Sequence, residues 1–198
     1  RRIISYIELL EVCKQINNAC QSRKRQRNVS IIQDIDGNNI VVINDIRFKG
    51  KRNINWNEVE KYVKEYVGSC YEVIETSDKI YIGSDFPNEL KGSEDTKRLK
   101  GANAKAKANS TSELPMLLKI AKNKRWQENF KNKHGMDAKY GWYRFTSRFA
   151  LPIYLDNGEI ERINIFRIEM LVRHASDNNL YLYDLVNIKK ETSTPLES

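Results

Sequence analysis

The last third of the chain changes from a helical to a strand-like hydrophobic period, and this change constrains the fold more than any other feature. Three long segments are rich in Ile, Val and aromatic residues, namely Trp142–Tyr154, Glu159–Arg173 and Leu180–Ile188. Short sequences of Asn, Asp and Gly separate them, which is typical of turns between paired strands. We therefore expect an antiparallel meander, with a bulge near Phe166–Arg167 where the alternation shifts phase.

The sequence ahead of these strands predicts helices. One helix is expected from Asp95 to about Asn109, capped by Ser93, with Ala102 on its inner face and its lysines outward. A second helix is expected to begin at Ser110–Glu113, with Pro115 in its first turn, and to run toward Trp126 and Phe130.

The first 77 residues predict a smaller α-β-β-α-β unit. Its expected elements are a helix over residues 3–21, strands Val29–Ile35 and Ile40–Phe48, a helix opening at Asn55, and strand Tyr71–Ile74; a further short strand, Lys79–Ile82, is expected directly after it. We thus predict an α+β protein with an N-terminal unit, residues 1–77, and a C-terminal domain, residues 78–198, in which helices pack on an antiparallel sheet. The turn at 83–87 marks the passage between them.

Positive charge is concentrated in the middle of the chain. Residues 97–134 contain eleven Lys or Arg against two Glu, so this segment carries +9 while the whole chain carries +8. A local positive field attracts a polyanion, and we expect nucleic acid, with RNA favoured, as the partner. The alternative is a solvated helical surface. The predicted nucleic-acid-binding residues are Lys97, Arg98, Lys100, Lys105, Lys107, Lys124, Arg125, Lys131, Lys133 and Trp142.

Cysteine and histidine usage predicts neither a metal site nor a cofactor. The three cysteines form no CxxC pair, and the two histidines do not cluster with them. Nucleotide-binding glycine loops, HExxH and nucleophile elbows do not occur in the sequence. We expect a reducing, cytoplasmic setting, no membrane partner, and, since the chain does not begin with Met, a piece of a longer polypeptide.

The titratable and cationic side chains of the sequence fit metal-independent RNA cleavage, which needs a base, an acid and cations near the phosphate. Histidine is the residue type whose unperturbed pKa lies near neutrality, and arginine holds phosphate through two parallel hydrogen bonds. Tyr143, Trp142 or Tyr183 would stack a base. The predicted catalytic residues are His134, Arg144, Arg148, His174, Lys190, Glu191 and Thr192.

Each candidate also has a structural interpretation. His134 is equally suited to a helix C-terminus, Arg144 and Arg148 to surface ion pairs, and residues 189–194 to a solvated tail. By the period of two, Arg144 and Arg148 share the wet face of their strand, while the alternate residues face the core. Asp184 stands among apolar neighbours, where it anchors a backbone or arginine network or takes part in catalysis.

Four segments resemble a known family: KIYIGSDFPNEL (79–90), LKGANAKAKAN (99–109), KHGMDAKYGWYRFTSRFALPIY (133–154) and LYLYDLVNIKKETSTPLE (180–197). They are similar to the large polyvalent protein-associated domains of phage and mobile-element polyproteins from Firmicutes. That resemblance implies a fold like the barnase–EndoU–colicin–RelE nucleases and an endoribonuclease activity. It also implies other domains of a polyprotein or an immunity protein as partners, and delivery into a target cytoplasm. The rivals are a non-catalytic module that binds nucleic acid or a sibling domain, and a purely structural one.

Overall fold

The computed structural model describes residues 11–12, 15, 30–50, 53–130 and 135–195. It is an α+β structure with eight strands in the described residues. The strands are β1 (Ser30–Gln33), β2 (Asn39–Val42), β3 (Cys70–Glu72), β4 (Lys79–Tyr81), β5 (Lys122–Gln127), β6 (Trp142–Tyr154), β7 (Ile160–His174) and β8 (Leu180–Pro195). The helices are α1 (Trp56–Val63), α2 (Phe86–Gly92), α3 (Glu94–Arg98), α4 (Gly101–Ser110) and α5 (Leu114–Lys119), with a 3₁₀ turn at Gly135–Ala138.

The predicted meander is confirmed, because β6, β7 and β8 pair antiparallel in chain order. The register between β7 and β8 shifts between Ile165 and Phe166 and again between Arg167 and Glu169, where the bulge was expected. β8 continues past the predicted end at Ile188 as far as Pro195. Residues 189–194 therefore form a strand rather than a solvated tail.

All eight strands belong to one mixed sheet, ordered β1-β2-β6-β7-β8-β4-β3, with β5 also paired to β6. The hairpin of β1 and β2 joins β6 in parallel through Val41 and Phe149, and β4 joins β8 in parallel through Ile80 and Leu180. The predicted boundary at residues 77 and 78 lies in the turn between β3 and β4. A division there would separate strands of a single sheet.

The helix predicted to run toward Trp126 is wrong beyond Lys119. After Ala121 the sequence offers no apolar residue before Trp126, so a longer helix would have no face to bury. Residues 122–127 instead form β5, whose backbone hydrogen-bonds to β6. This exchange places Trp126 at a sheet edge.

The helix predicted over residues 95–109 is interrupted. Ser93 caps α3 as expected, since its side chain accepts a hydrogen bond from the Thr96 backbone, but the chain is extended at Leu99 before α4 begins. The inner and outer faces also differ from the prediction: Ala102 is exposed, while Lys107 is fully buried.

The helices cover one face of the sheet. Phe145, Phe149 and Phe166 of the sheet pack there with Phe86 of α2 and Leu117 of α5. A smaller cluster lies on the other face near β1 and β2; its buried members are Val12, Ile32, Ile40, Val42, Ala150, Ile163 and Ile165.

Of the predicted N-terminal helix, residues 11, 12 and 15 are helical, and the rest lies outside the described residues. In the described part of the chain, no helix is both long and apolar enough to cross a membrane.

Candidate nucleic-acid interface

Four aromatic side chains lie near one another where β5 ends beside the start of β6. Trp126 is the cross-strand partner of Tyr143, so both side chains lie on the same face of the sheet. The His174 ring lies 5.0 Å from that of Tyr140 and 5.8 Å from that of Tyr143, between centroids. We call Trp126, Tyr140, Tyr143 and His174 the aromatic end.

The Trp126 ring is held in place although more than half of the residue is open to solvent. Its Nε1 donates a hydrogen bond to the Tyr140 carbonyl at 3.0 Å, while the residue remains 56% exposed. Gly141 has φ +93°, and a Cβ there would lie 2.7 Å from Trp126 Nε1 and 2.8 Å from the Gln127 carbonyl. Because only glycine fits both this conformation and this space, Gly141 is what lets the indole lie against the backbone.

Two lysines flank these rings. The Lys124 ammonium lies 4.4 Å from the Tyr143 ring centroid, and the Lys139 ammonium lies 5.2 Å from that of Tyr140. Lys124 also forms an ion pair with Asp78 at 2.8 Å. Cations at such distances are attracted to the ring faces, so the aromatic end carries positive charge beside open ring surface.

A cleft of about 590 Å³ opens beside Trp126. Its lining comprises Trp126, Glu128, Asn129, Gly135, Ala138, Lys139, Tyr140 and Gly141. This volume is within the roughly 300–1,000 Å³ range of small-molecule sites. The lining combines aromatic surface, a carboxylate, an amide and an ammonium group.

The predicted catalytic residue Arg144 lies on the face of the sheet opposite the aromatic end and forms an ion pair with Glu169. Arg144 and its cross-strand partner Arg125 both contact Glu169, at 3.1 and 2.7 Å. Burial alone would raise the pKa of Glu169, but hydrogen bonds from Asn187 and Arg125 hold it below its ordinary value. The two guanidinium groups thus share one ionised carboxylate.

Arg148, the second predicted arginine, is held by two carboxylates. It contacts Asp34 at 2.7 Å and Glu191 at 2.8 Å. Burial tends to raise the pKa of Asp34, but hydrogen bonds from Asn38 and Arg148 lower it overall. The Arg148 guanidinium is thus held by carboxylates on two sides, and a phosphate would have to displace one of them.

His174 lies far from that cluster. Arg148 pairs across the sheet with Arg167, and His174 is seven residues further along β7. At about 3.3 Å per residue the separation is roughly 20 Å. His174 itself contacts Asn178, with 2.8 Å between Nε2 and Oδ1. His174 and Arg148 are therefore too far apart to act on the same phosphate.

The remaining predicted catalytic residues do not join either group as a set. Lys190 is exposed on β8. The hydroxyl oxygen of Thr192 is buried and has no hydrogen-bond partner in the described part of the chain. His134 lies outside the described residues, as do the predicted nucleic-acid contacts Lys131 and Lys133.

The predicted binding residues on α3 and α4 are divided between surface and interior. Arg98 and Lys100 are exposed, and Lys97 pairs with Glu94 on the surface. Lys105 is half-buried. Trp142 is also half-buried, and its ring meets that of Tyr183 edge-on at 5.0 Å.

Lys107 corrects the sequence prediction most clearly. Its side chain is fully buried, with the ammonium 3.0 Å from Asp95 and 3.2 Å from Asp184. Burial raises the pKa of Asp184 to about 6, although Lys107 opposes the shift. Asp184 does anchor a network, as one interpretation held, but its cation is a lysine. A lysine enclosed in this way cannot contact a nucleic acid.

Sequence reasoning missed Tyr140, Lys139 and the role of Trp126. Trp126 was assigned to a helix, so its pairing with β6 was not foreseen. The one available clue was the Tyr-Gly-Trp sequence at 140–142, because a glycine between two aromatic residues at a strand start permits close approach of another ring.

A scan against protein-family models finds no match for this chain. Searches of curated proteins and of solved structures find no match either. Among the described residues, no group of three or more His, Cys, Asp or Glu side chains is arranged to hold a metal ion.

Proposed function

We propose that this chain is a nucleic-acid-binding module, with RNA as the favoured ligand, and that it binds through the aromatic end. The observation that supports this most is Trp126: its ring is fixed by Tyr140 and Gly141 yet more than half exposed. A ring that is both exposed and held in one position offers a ready surface for stacking on a base. Aromatic rings beside cations are the usual means of binding bases and phosphates together.

The distribution of positive charge also supports the aromatic end as the binding surface. Residues 119–140, which contain β5 and lead into β6, hold seven Lys or Arg against Glu128 and Asp137. Among the described residues of this stretch, Lys139 contacts a ring and forms no ion pair. Its ammonium group is thus available to a phosphate at no cost in broken ion pairs.

The geometry favours binding over cleavage. Arg144 and Arg148 are paired with carboxylates on the opposite face from Trp126, and His174 is remote from Arg148. A ribonuclease would have to place base, acid and phosphate-binding cation around one phosphate. Membership of a phage or mobile-element polyprotein and a barnase-like arrangement remain part of the proposal, supported by the resemblance of the four segments.

The test is binding of a fluorescent 20-nucleotide RNA, measured by anisotropy over a range of salt concentrations. We expect affinity to fall as salt rises, by counterion release. The variant Lys124→Gln/Lys139→Gln should bind more weakly and reduce the slope of log K against log salt by about 0.7 per lost phosphate contact. The matched control, Lys49→Gln/Lys61→Gln, removes the same charge from two exposed lysines near α1.

If RNA binding weakens equally in both double variants, overall charge alone explains the loss, and this result would count against the aromatic end as the binding surface. Absence of RNA and DNA binding by the parent chain would reject the proposal. The same samples, incubated in EDTA, test cleavage: 2′,3′-cyclic phosphate ends that disappear in His174→Ala would identify a ribonuclease that uses the aromatic end.

A further inference from the structure

We infer that the cleft beside Trp126 receives an unpaired base, so that the ligand is single-stranded nucleic acid. This inference rests on the proposed function and specifies its ligand. It concerns the mode of binding, whereas the proposal above concerns only whether and where a polyanion binds.

The Trp126 ring is preorganised for stacking. The hydrogen bond to the Tyr140 carbonyl and the close approach to Gly141 fix one edge of the Trp126 ring before any ligand arrives. A ring that is already ordered loses little side-chain entropy when a base stacks on it. Tyr140, 43% exposed, provides a second aromatic surface in the same lining.

The polar groups that line the cleft suit the edge of a base. Glu128 and Asn129 supply a carboxylate and an amide at the cleft, and Lys139 supplies the ammonium group. The amide nitrogen of Asn129 makes one long contact of 3.4 Å to the Ala138 carbonyl. Carboxylates and amides hydrogen-bond to base edges, and they suit phosphate far less than lysine does. The lining thus fits a base within the cleft and its phosphate toward Lys139.

A duplex would leave the exposed rings unused. Bases in a double helix are stacked and paired, so their faces are closed to an indole ring on the protein. Sequence-tolerant binders of single strands stack successive bases on exposed aromatic rings. A duplex would use the lysines alone.

The experiment compares one RNA sequence as a single strand and as a duplex with its complement, by anisotropy at fixed salt. We expect the single strand to bind at least 10-fold more tightly. Trp126→Ala should weaken single-strand binding by about 10-fold, within the range of a lost stacking contact, and leave duplex binding unchanged. Trp126→Phe, which keeps a ring, should restore most of the affinity.

Tyr154→Ala, at the far end of β6, removes another exposed aromatic ring as the control. Equal affinity for both forms, with Trp126→Ala inert and Lys124→Gln/Lys139→Gln weakened, would overturn the inference and leave the proposed function standing. Absence of all nucleic-acid binding would overturn both. Self-association that Trp126→Ala abolishes, in a chain that binds no RNA, would identify a protein interface and also overturn the inference.

Discussion

Two lysines, one within the basic segment at residues 97–134 and one five residues beyond its end, have opposite environments in the structure. Lys107 is enclosed between Asp95 and Asp184, whereas Lys139 lies over an exposed tyrosine ring at the aromatic end. In the sequence both are lysines beside alanine in a stretch of high positive charge. Local charge density in the sequence therefore predicts where a polyanion would be attracted, but it does not predict which lysines and arginines lie on the surface.

Lys107, Asp95 and Asp184 form a small ion cluster with a net negative charge, which we call the interior group. Moving charges out of water is expensive, and the cluster is tolerated because Lys107 contacts both carboxylates and because Asp184 also accepts a hydrogen bond from the Leu185 backbone. Asp95 extends the network, since it accepts a hydrogen bond from the Asn187 backbone on β8. The cluster therefore ties α3 and α4 to the sheet.

The largest expected effect tests the interior group. Lys107→Met should lower the free energy of unfolding at pH 8 by about 3 to 5 kcal/mol, because it leaves Asp184 buried without a countercharge. Urea unfolding followed by circular dichroism measures the loss. Lys105→Met, a half-buried neighbour on α4, is the control and should change little. A loss below about 1 kcal/mol would show that Lys107 is not the cation that compensates the buried carboxylate.

The pH dependence of Asp184 is the next largest effect. Burial raises its pKa to about 6 from an ordinary 3.8, so the folded state binds this proton more tightly than the unfolded state does. Its contribution to stability is therefore fully present below pH 3.8 and is lost as the pH rises through about 6.

Asp184→Asn cannot titrate, and other acids cancel in a comparison with the parent chain. The parent's unfolding free energy, relative to this variant, should fall by about 2 kcal/mol between pH 4 and pH 7. Urea titrations at several pH values measure the difference. A difference that is constant with pH would mean that Asp184 titrates alike in the folded and unfolded states.

A comparison of two glycines tests how the Trp126 ring is held at the aromatic end. Gly141 and Gly158 both have positive φ, +93° and +84°, but a Cβ meets Trp126 only at Gly141 and open space at Gly158. Both Ala variants should lose about 1 kcal/mol to backbone strain, and Gly141→Ala should lose a further 1 to 2 kcal/mol from the clash. Thermal unfolding measures stability, and Trp fluorescence reports whether the indole has moved.

Equal losses in the two variants, with unchanged fluorescence, would show that Gly141 does not hold the indole in place. If Gly141→Ala also weakens RNA binding while Gly158→Ala does not, the fixed position of Trp126 is what the ligand uses. This outcome would separate ring placement from ring presence, which Trp126→Ala cannot do.

The sequence predicted most of the sheet because long strands depend on local alternation. β6, β7 and β8 each carry enough Ile, Val and aromatic residues to identify them, and the bulge near Phe166 appears as a shift of phase. β5 was missed because its residues are mostly polar and its structure comes from pairing with β6, a contact that depends on residues some twenty positions away.

The candidate site was predictable only in outline. Lys124 and Arg125 were identified from charge, but Arg125 contacts Glu169 on one face while Lys124 reaches Tyr143 on the other. Which face a residue takes follows from strand pairing, and no pairing was foreseen there. The burial of Lys107 was hidden for a similar reason: its two aspartates come from α3 and β8, and only the fold brings them together.

The smallest expected effect concerns the surface ion pair on α3. Lys97 contacts Glu94 at 3.0 Å with both side chains largely exposed, so Lys97→Gln should change stability by less than about 0.5 kcal/mol. Its RNA affinity should stay within twofold of the parent, since α3 is separate from the aromatic end. Urea unfolding and RNA anisotropy measure the two quantities. A drop in affinity as large as that of Lys124→Gln/Lys139→Gln would extend the interface to α3 and make the exposed basic residues of α3, rather than the rings alone, the unit that binds nucleic acid.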